Sequence, residues 1–188
     1  MSVNHHLVAG IAGVSLSACA LCQVDGATQQ GLAHKAKSAA SSLSGSPATE
    51  AETRTIILRV ERLVREVTGS KAQVGSVAIP SSGRLVDRNE VIAEFWRLYR
   101  MTSPKFKVTP RRIDLDEKVV QVWPRLRSEA DELIRIGAVA NYGPLAAGPG
   151  SSLTLFQLGD AVGFFVARMA EMTYTPSEKW DPLLNGNG

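Results

Sequence analysis

Helical periodicity is the feature that most constrains the fold of this chain. Four segments between Thr53 and Met172 have apolar residues at the spacing of one helix face and polar residues opposite. The sequence therefore predicts an all-α fold, a small helical bundle with long connecting loops at 70–86 and 138–153. The predicted inward faces are Ile56, Ile57, Val60, Leu63, Val64 and Val67; Val91, Ile92, Phe95, Trp96, Leu98 and Tyr99; Leu126, Ala130, Leu133, Ile134 and Ile136; and Leu158, Val162, Phe165, Val166 and Met169.

Capping residues mark the ends of these helical segments. Asp87 with Glu90, and Thr154 with Gln157, have the spacing of a capping box, in which each side chain bonds the other residue's backbone N–H. Gly69 has the position of a C-terminal cap, where glycine readily adopts a left-handed conformation. Helices are therefore expected to begin after Asp87 and after Thr154.

The order of helix, glycine, long loop and capped helix occurs twice. Corresponding positions, such as Leu63 and Leu133, recur after about 70 residues, which indicates an internal repeat of a helix–loop–helix unit. We predict a first unit at 53–102 and a second at 103–175. A flexible linker is predicted at 19–52 and a flexible tail at 176–188, and whether Trp180 packs on the fold stays open.

The two units resemble the S-layer homology (SLH) repeat. In the second unit, Trp123, the sequence "ELIRIGAV" and Tyr142 occur in the order that is typical of the family. In the first unit, "VDRNEV" is similar to the family's Val-Thr-Arg-Ala-Glu-Phe, with Arg88 at the arginine position. The second unit has Leu155 there instead, and most members of the family have three repeats rather than two.

The resemblance implies a non-catalytic protein that binds an acidic cell-wall polysaccharide. It implies that Arg88 grips a ligand carboxylate, that Trp123 stacks on a sugar face and that Gly137 allows close approach at a helix end. Tyr142, with Asn141 before it, lies at the position where the family commonly has Gly-Tyr, in the loop after the first helix of the unit. Because Leu155 carries no charge, at most one competent site is expected, and a homo-oligomer could supply the missing repeat.

The N-terminus resembles an export signal. Residues 7–22, "LVAGIAGVSLSACALC", have the length and composition of the apolar core of a signal peptide. "LSAC" resembles the bacterial lipobox, which implies a signal peptide at 1–18, cleavage before Cys19 and lipidation of its thiol. "ACA" also fits cleavage for ordinary secretion, and a retained first helix of a cytosolic domain stays open.

Histidine usage limits the chemistry of the folded part. The three histidines are His5, His6 and His34, and imidazole is the usual general base near neutral pH and a common metal ligand. We therefore predict no enzyme, no cofactor and no metal site. The acidic cluster Asp114, Asp116 and Glu117 is interpreted as a helix start, where acidic residues suit the helix dipole.

These patterns predict a protein of the bacterial cell envelope, membrane-anchored by a lipid on Cys19 or secreted, that binds an anionic glycan. The alternatives are a periplasmic scaffold lipoprotein that makes only protein contacts and a cytosolic helical DNA-binding protein. The export segment argues against nucleic acid. A basic cluster is interpreted either as a solubilising face or as a docking site for an anionic glycan or lipid headgroup; it comprises Lys105, Lys107, Arg111 and Arg112, with Arg97 and Arg100 on the preceding helix.

Overall fold

The computed structural model describes residues 45–114, 122–147 and 150–180. The predicted signal peptide, Cys19, residues 19–44 of the predicted linker, Asp116, Glu117 and the tail from 181 onwards lie outside the described residues. The described part is all-α, which confirms the predicted fold class. It contains four α-helices: α1 (Glu50–Thr68), α2 (Arg88–Thr102), α3 (Arg127–Arg135) and α4 (Leu155–Thr173). Three short 3-10 helices comprise Ser103–Lys105, Pro124–Leu126 and Ser177–Trp180.

Three of the four helices begin at a capping box. The boxes at Asp87 and Thr154 are confirmed, and α1 has a third box in which the Thr49 side chain and Glu52 bond each other's backbone N–H groups. Helix α1 therefore begins at Glu50, before the predicted start at Thr53. Residues 46–52 consequently belong to the fold rather than to the predicted linker, because Ala48 and Glu50 are buried and their backbone N–H groups bond distant segments.

The N-termini of α1, α2 and α4 converge in one arrangement, which we call the N-cap ring (46–50, 84–88 and 151–155). The first residue of each helix donates its backbone N–H to the segment before another helix. The three bonds are Glu50 to the Arg84 carbonyl at 2.8 Å, Arg88 to Ser151 at 2.7 Å and Leu155 to Ser46 at 2.8 Å. Isolated β-bridges follow the same cyclic order: Pro47 with Thr154, Leu85 with Thr49 and Ser152 with Asp87.

The N-cap ring gives the fold an approximate threefold organisation. Ala48, Val86 and Leu153 take equivalent places in it, and all three are buried. This differs from the predicted two-unit repeat, which paired α1 with α3, because the backbone bonds relate α1 to α2 and α4. A single chain thus supplies three capped helices, and the ring needs no second copy to complete it.

The core consists of the predicted helix faces. The inward residues of α4 and most of those of α1, α2 and α3 are buried, while Ile56, Val67, Trp96, Tyr99 and Leu126 are half-buried. The rings of Phe95 on α2 and Phe165 on α4 lie 4.5 Å apart at the centre. The apolar periodicity therefore identified the packing faces correctly.

The segment after α4 also packs on the core. Residues 177–180 form a 3-10 helix that contacts α1 and α4, and the Trp180 side chain is fully buried. The tail predicted to be flexible from 176 therefore has an ordered start, because burial of the indole holds it against the helices. Across the ranges that the structure describes, no helix is both long and apolar enough to cross a bilayer.

Candidate functional site

The four residues that the SLH resemblance assigned to ligand binding do not line one common cleft. Trp123 lines one cleft and Gly137 lines another, and we name these the Trp123 cleft and the Gly137 cleft. Tyr142 lines neither cleft, and its side chain is 71% exposed in the loop after α3. Arg88 is buried at the N-cap ring.

The position of Arg88 does not suit a direct contact with a ligand. It is the first residue of α2 and only 5% exposed, and its backbone N–H closes one of the three ring bonds. The equivalent first residues of α1 and α4 are Glu50, which is buried, and Leu155, which is half-buried. The ring thus directs the first side chain of each helix inward, a placement that the helix pattern alone did not indicate.

Glu50 illustrates how the ring accommodates a buried charge. Its carboxylate accepts hydrogen bonds from the Ser82 hydroxyl and from Arg84, whose guanidinium also lies 2.6 Å from Glu90. The hydrogen bond from Ser82 lowers the pKa of Glu50; burial opposes this shift and the Arg84 ion pair supports it. Sequence interpretation missed Glu50, although the Thr49–Glu52 spacing in "ATEAE" was a usable signal.

The Trp123 cleft has a volume of about 280 Å³ and combines an aromatic face with a cation. The Trp123 side chain is 37% exposed, and the Arg125 guanidinium lies 4.5 Å from its ring centroid. The Trp123 backbone N–H donates to the Asn89 side-chain oxygen at 2.8 Å, and the Asn89 amide donates to Asp87 at 2.7 Å. These bonds attach the aromatic face to the first turn of α2.

The carboxylates of the Trp123 cleft are already paired. Glu90 is bridged by Arg84, and Glu94 is paired with Arg97 at 2.7 Å. Within the described ranges Arg125 has no carboxylate within ion-pair distance, and the ring of Trp123 is its neighbour. Among the residues that the structure describes, the unpaired charge of this cleft is therefore the positive charge of Arg125.

The Gly137 cleft lies where the C-terminal end of α3 meets α4, and its volume is about 440 Å³. Gly137 has a left-handed conformation with φ of 72°, and a Cβ there would lie 3.4 Å from both the Arg168 side chain and Ile113. The Arg168 Nε donates to the Ile136 carbonyl at 2.6 Å, and the same guanidinium pairs with Glu171. A Cβ at these distances would make ordinary van der Waals contact, so the left-handed backbone is what favours glycine at this position.

The residues that the structure describes hold no group of three or more His, Cys, Asp or Glu side chains arranged to bind a metal ion. Comparisons of the chain with protein-family models, curated proteins and solved structures found no match.

Proposed function

We propose that this protein is a non-catalytic protein of the cell envelope that binds an anionic glycan in the Trp123 cleft. The observation that carries the proposal is the exposed indole of Trp123 with the Arg125 guanidinium stacked on it at 4.5 Å. The apolar faces of sugar rings pack on aromatic side chains, and a guanidinium forms two parallel hydrogen bonds with a carboxylate. The cleft offers both groups side by side.

In this proposal Arg125 takes the role that the resemblance assigned to Arg88. Arg125 is exposed and has no carboxylate partner in the described ranges, whereas Arg88 is buried. The hydrogen bond from the Trp123 backbone N–H to Asn89 fixes the backbone that carries the indole before the ligand arrives, which lowers the entropy cost of binding. Arg88 acts indirectly in this proposal, because its backbone bond in the N-cap ring helps to position α2.

The glycan proposal is tested with an acidic polysaccharide bearing pyruvate ketals and with the same polymer after removal of the ketals. Trp123→Ala and Arg125→Ala should each weaken binding of the acidic polymer about tenfold or more, which corresponds to ~1.4 kcal/mol. Tyr142→Ala and Arg59→Ala are the matched controls, because both side chains are exposed and neither lines the cleft. Isothermal titration calorimetry measures the affinities.

Unchanged affinity in both cleft variants would contradict the proposal. Equal binding of the polymer with and without ketals would contradict the role of Arg125 specifically. If only Tyr142→Ala loses affinity for the polymer, the ligand binds at the loop that contains Tyr142, as the family resemblance implied.

The location of the protein is the second part of the proposal. We place it in the envelope because the first residues resemble a signal peptide with Cys19 at the lipidation position. The intact mass of the protein from membrane fractions of its own host tests this directly. A species that starts at Cys19 with added acyl mass supports it, and an unprocessed chain that starts at Met1 in the cytosol refutes it.

A further inference from the structure

We propose that a second surface of the folded domain docks on an anionic lipid bilayer. This basic–apolar surface extends from the Gly137 cleft to the segment that bonds the end of α4, and it shares no residue with the lining of the Trp123 cleft. It goes beyond glycan binding and does not depend on it. The surface comprises Lys105, Lys107, Val108, Arg111, Ile113, Phe164 and Tyr174.

The cations of this surface lie on a segment that is fixed at both ends. The backbone N–H groups of Lys107 and Val108 donate to the Met172 carbonyl near the end of α4, at 2.8 and 3.2 Å. The Ile113 N–H donates to the Arg135 carbonyl at the end of α3, at 2.7 Å. The segment therefore presents its side chains from a defined backbone.

The surface also exposes large apolar side chains. Val108, Ile113, Phe164 and Tyr174 are 42%, 45%, 46% and 77% exposed, and they are four of the nine exposed large hydrophobic residues in the described part of the chain. Ile113 and Phe164 line the same cleft, and Tyr174 follows the end of α4 that bonds Val108. Apolar side chains grouped in this way indicate a contact surface rather than isolated exposure.

The charge of the surface complements an anionic headgroup layer. The acidic neighbours Glu132 and Glu171 are paired, with Arg112 at 2.5 Å and with Arg168 respectively. Lys105, Lys107 and Arg111 have no carboxylate within ion-pair distance among the described residues, and Asp114 is an exposed acid at the end of the segment. The unpaired charge is therefore mainly positive.

The apolar residues favour a bilayer over a soluble polyanion. A polysaccharide or a nucleic acid would be attracted by the lysines alone, and four exposed apolar side chains would remain in water. At a bilayer the apolar side chains enter the boundary between headgroups and acyl chains, while the cations contact the lipid phosphates. This arrangement uses both components of the surface.

Co-sedimentation with vesicles of the chain from residue 19 onwards, carrying Cys19→Ser so that no lipid is attached, tests the proposal. We expect binding to phosphatidylcholine vesicles that contain phosphatidylglycerol and little binding to phosphatidylcholine alone. Lys105→Glu/Lys107→Glu should weaken partitioning about 30-fold or more, since each juxtamembrane cation contributes about fivefold. The matched control is Arg59→Glu/Arg62→Glu, which makes the same change in net charge at exposed positions on α1.

A second pair of variants tests the apolar component. Phe164→Ser should weaken partitioning severalfold, whereas Phe156→Ser, on the same helix and 65% exposed, should leave it unchanged. All these side chains are exposed, so circular dichroism should show native folding in each variant.

Three results would overturn the proposal. The first is no binding of the Cys19→Ser chain to anionic vesicles at low salt, and the second is an equal loss in the two charge-reversal variants. The third is a Lys105→Glu/Lys107→Glu variant that binds vesicles as the wild type does but no longer binds a soluble acidic polysaccharide. That result would show that the surface binds a glycan rather than a bilayer.

Discussion

Trp180 offers a direct test of how the end of the described chain packs. Its indole is fully buried in a 3-10 helix that contacts both α1 and α4. Trp180→Ala would remove the whole ring from the core and leave a cavity between these elements. We expect a large loss of stability from a single substitution near the C-terminus.

The size of this loss follows from the buried surface. Burial of roughly 200 Å² of an aromatic side chain at about 25 cal/mol per Å² contributes ~5 kcal/mol as an upper estimate. Core substitutions of Trp by Ala cost about 3–5 kcal/mol, a large part of the roughly 5–15 kcal/mol that stabilises a typical protein. At about 2–4 °C for each kcal/mol, the unfolding temperature should fall by roughly 6–20 °C.

Thermal unfolding followed by circular dichroism measures the effect, with Trp123→Ala as the control. The two variants lose the same side chain, but Trp123 is 37% exposed, so by the same area argument its replacement should cost at most about 3 kcal/mol, clearly less than that of Trp180. Nearly equal unfolding temperatures for Trp180→Ala and the wild type would refute the packing of residues 177–180. Equal destabilisation by both variants would refute the argument from burial.

Two further predictions concern stability. The hydrogen bond from Ser82 lowers the pKa of Glu50 in the folded state. Ionised Glu50 therefore stabilises the fold at pH values above its ordinary pKa of 4.5, and this stabilisation is lost as the pH falls through the lower pKa of the folded state. In urea denaturation, the stability difference between wild type and Glu50→Gln should therefore be largest at neutral pH and shrink below pH 4.5; a constant difference would contradict this. Gly137→Ala should destabilise by about 1 kcal/mol because of its positive φ, whereas Gly163→Ala, with free space inside α4, should stabilise by about 0.5–1 kcal/mol. If calorimetry shows that Gly137→Ala and Gly163→Ala shift the unfolding temperature in the same direction, the prediction for these two glycines is wrong.

The helices could be predicted because their signals are local. Capping boxes such as Asp87–Glu90 and the apolar periodicity depend on residues three or four positions apart, so they are visible without knowledge of the fold. The cap at Thr49 has the same spacing but was assigned to the linker, because the small and polar residues around it resemble a disordered segment. In the structure, Glu50 and Ala48 are buried by partners that lie far away in sequence.

The candidate site could be predicted only in part. The SLH resemblance assigned a stacking role to Trp123, and the structure shows its indole partly exposed. The contact of Asn89 with Trp123 joins residues far apart in sequence, and the position of Arg125 over the indole depends on the local backbone, so neither was visible in the sequence pattern. The burial of Arg88 was not predictable either, because arginine is rarely buried and helix position alone places it at the surface. The N-cap ring, which depends on three distant segments, decides its environment.

The N-cap ring also sets an order of events for the newly made chain. Helix α1 is synthesised first, but the backbone partners of Ser46 and Ala48 are Leu155 and Leu153, which follow about a hundred residues later. Until that segment emerges, the ring stays open and the start of α1 lacks two of its fixed neighbours. Such long-range closure slows folding, so the ring is completed only after the chain has been made through the start of α4.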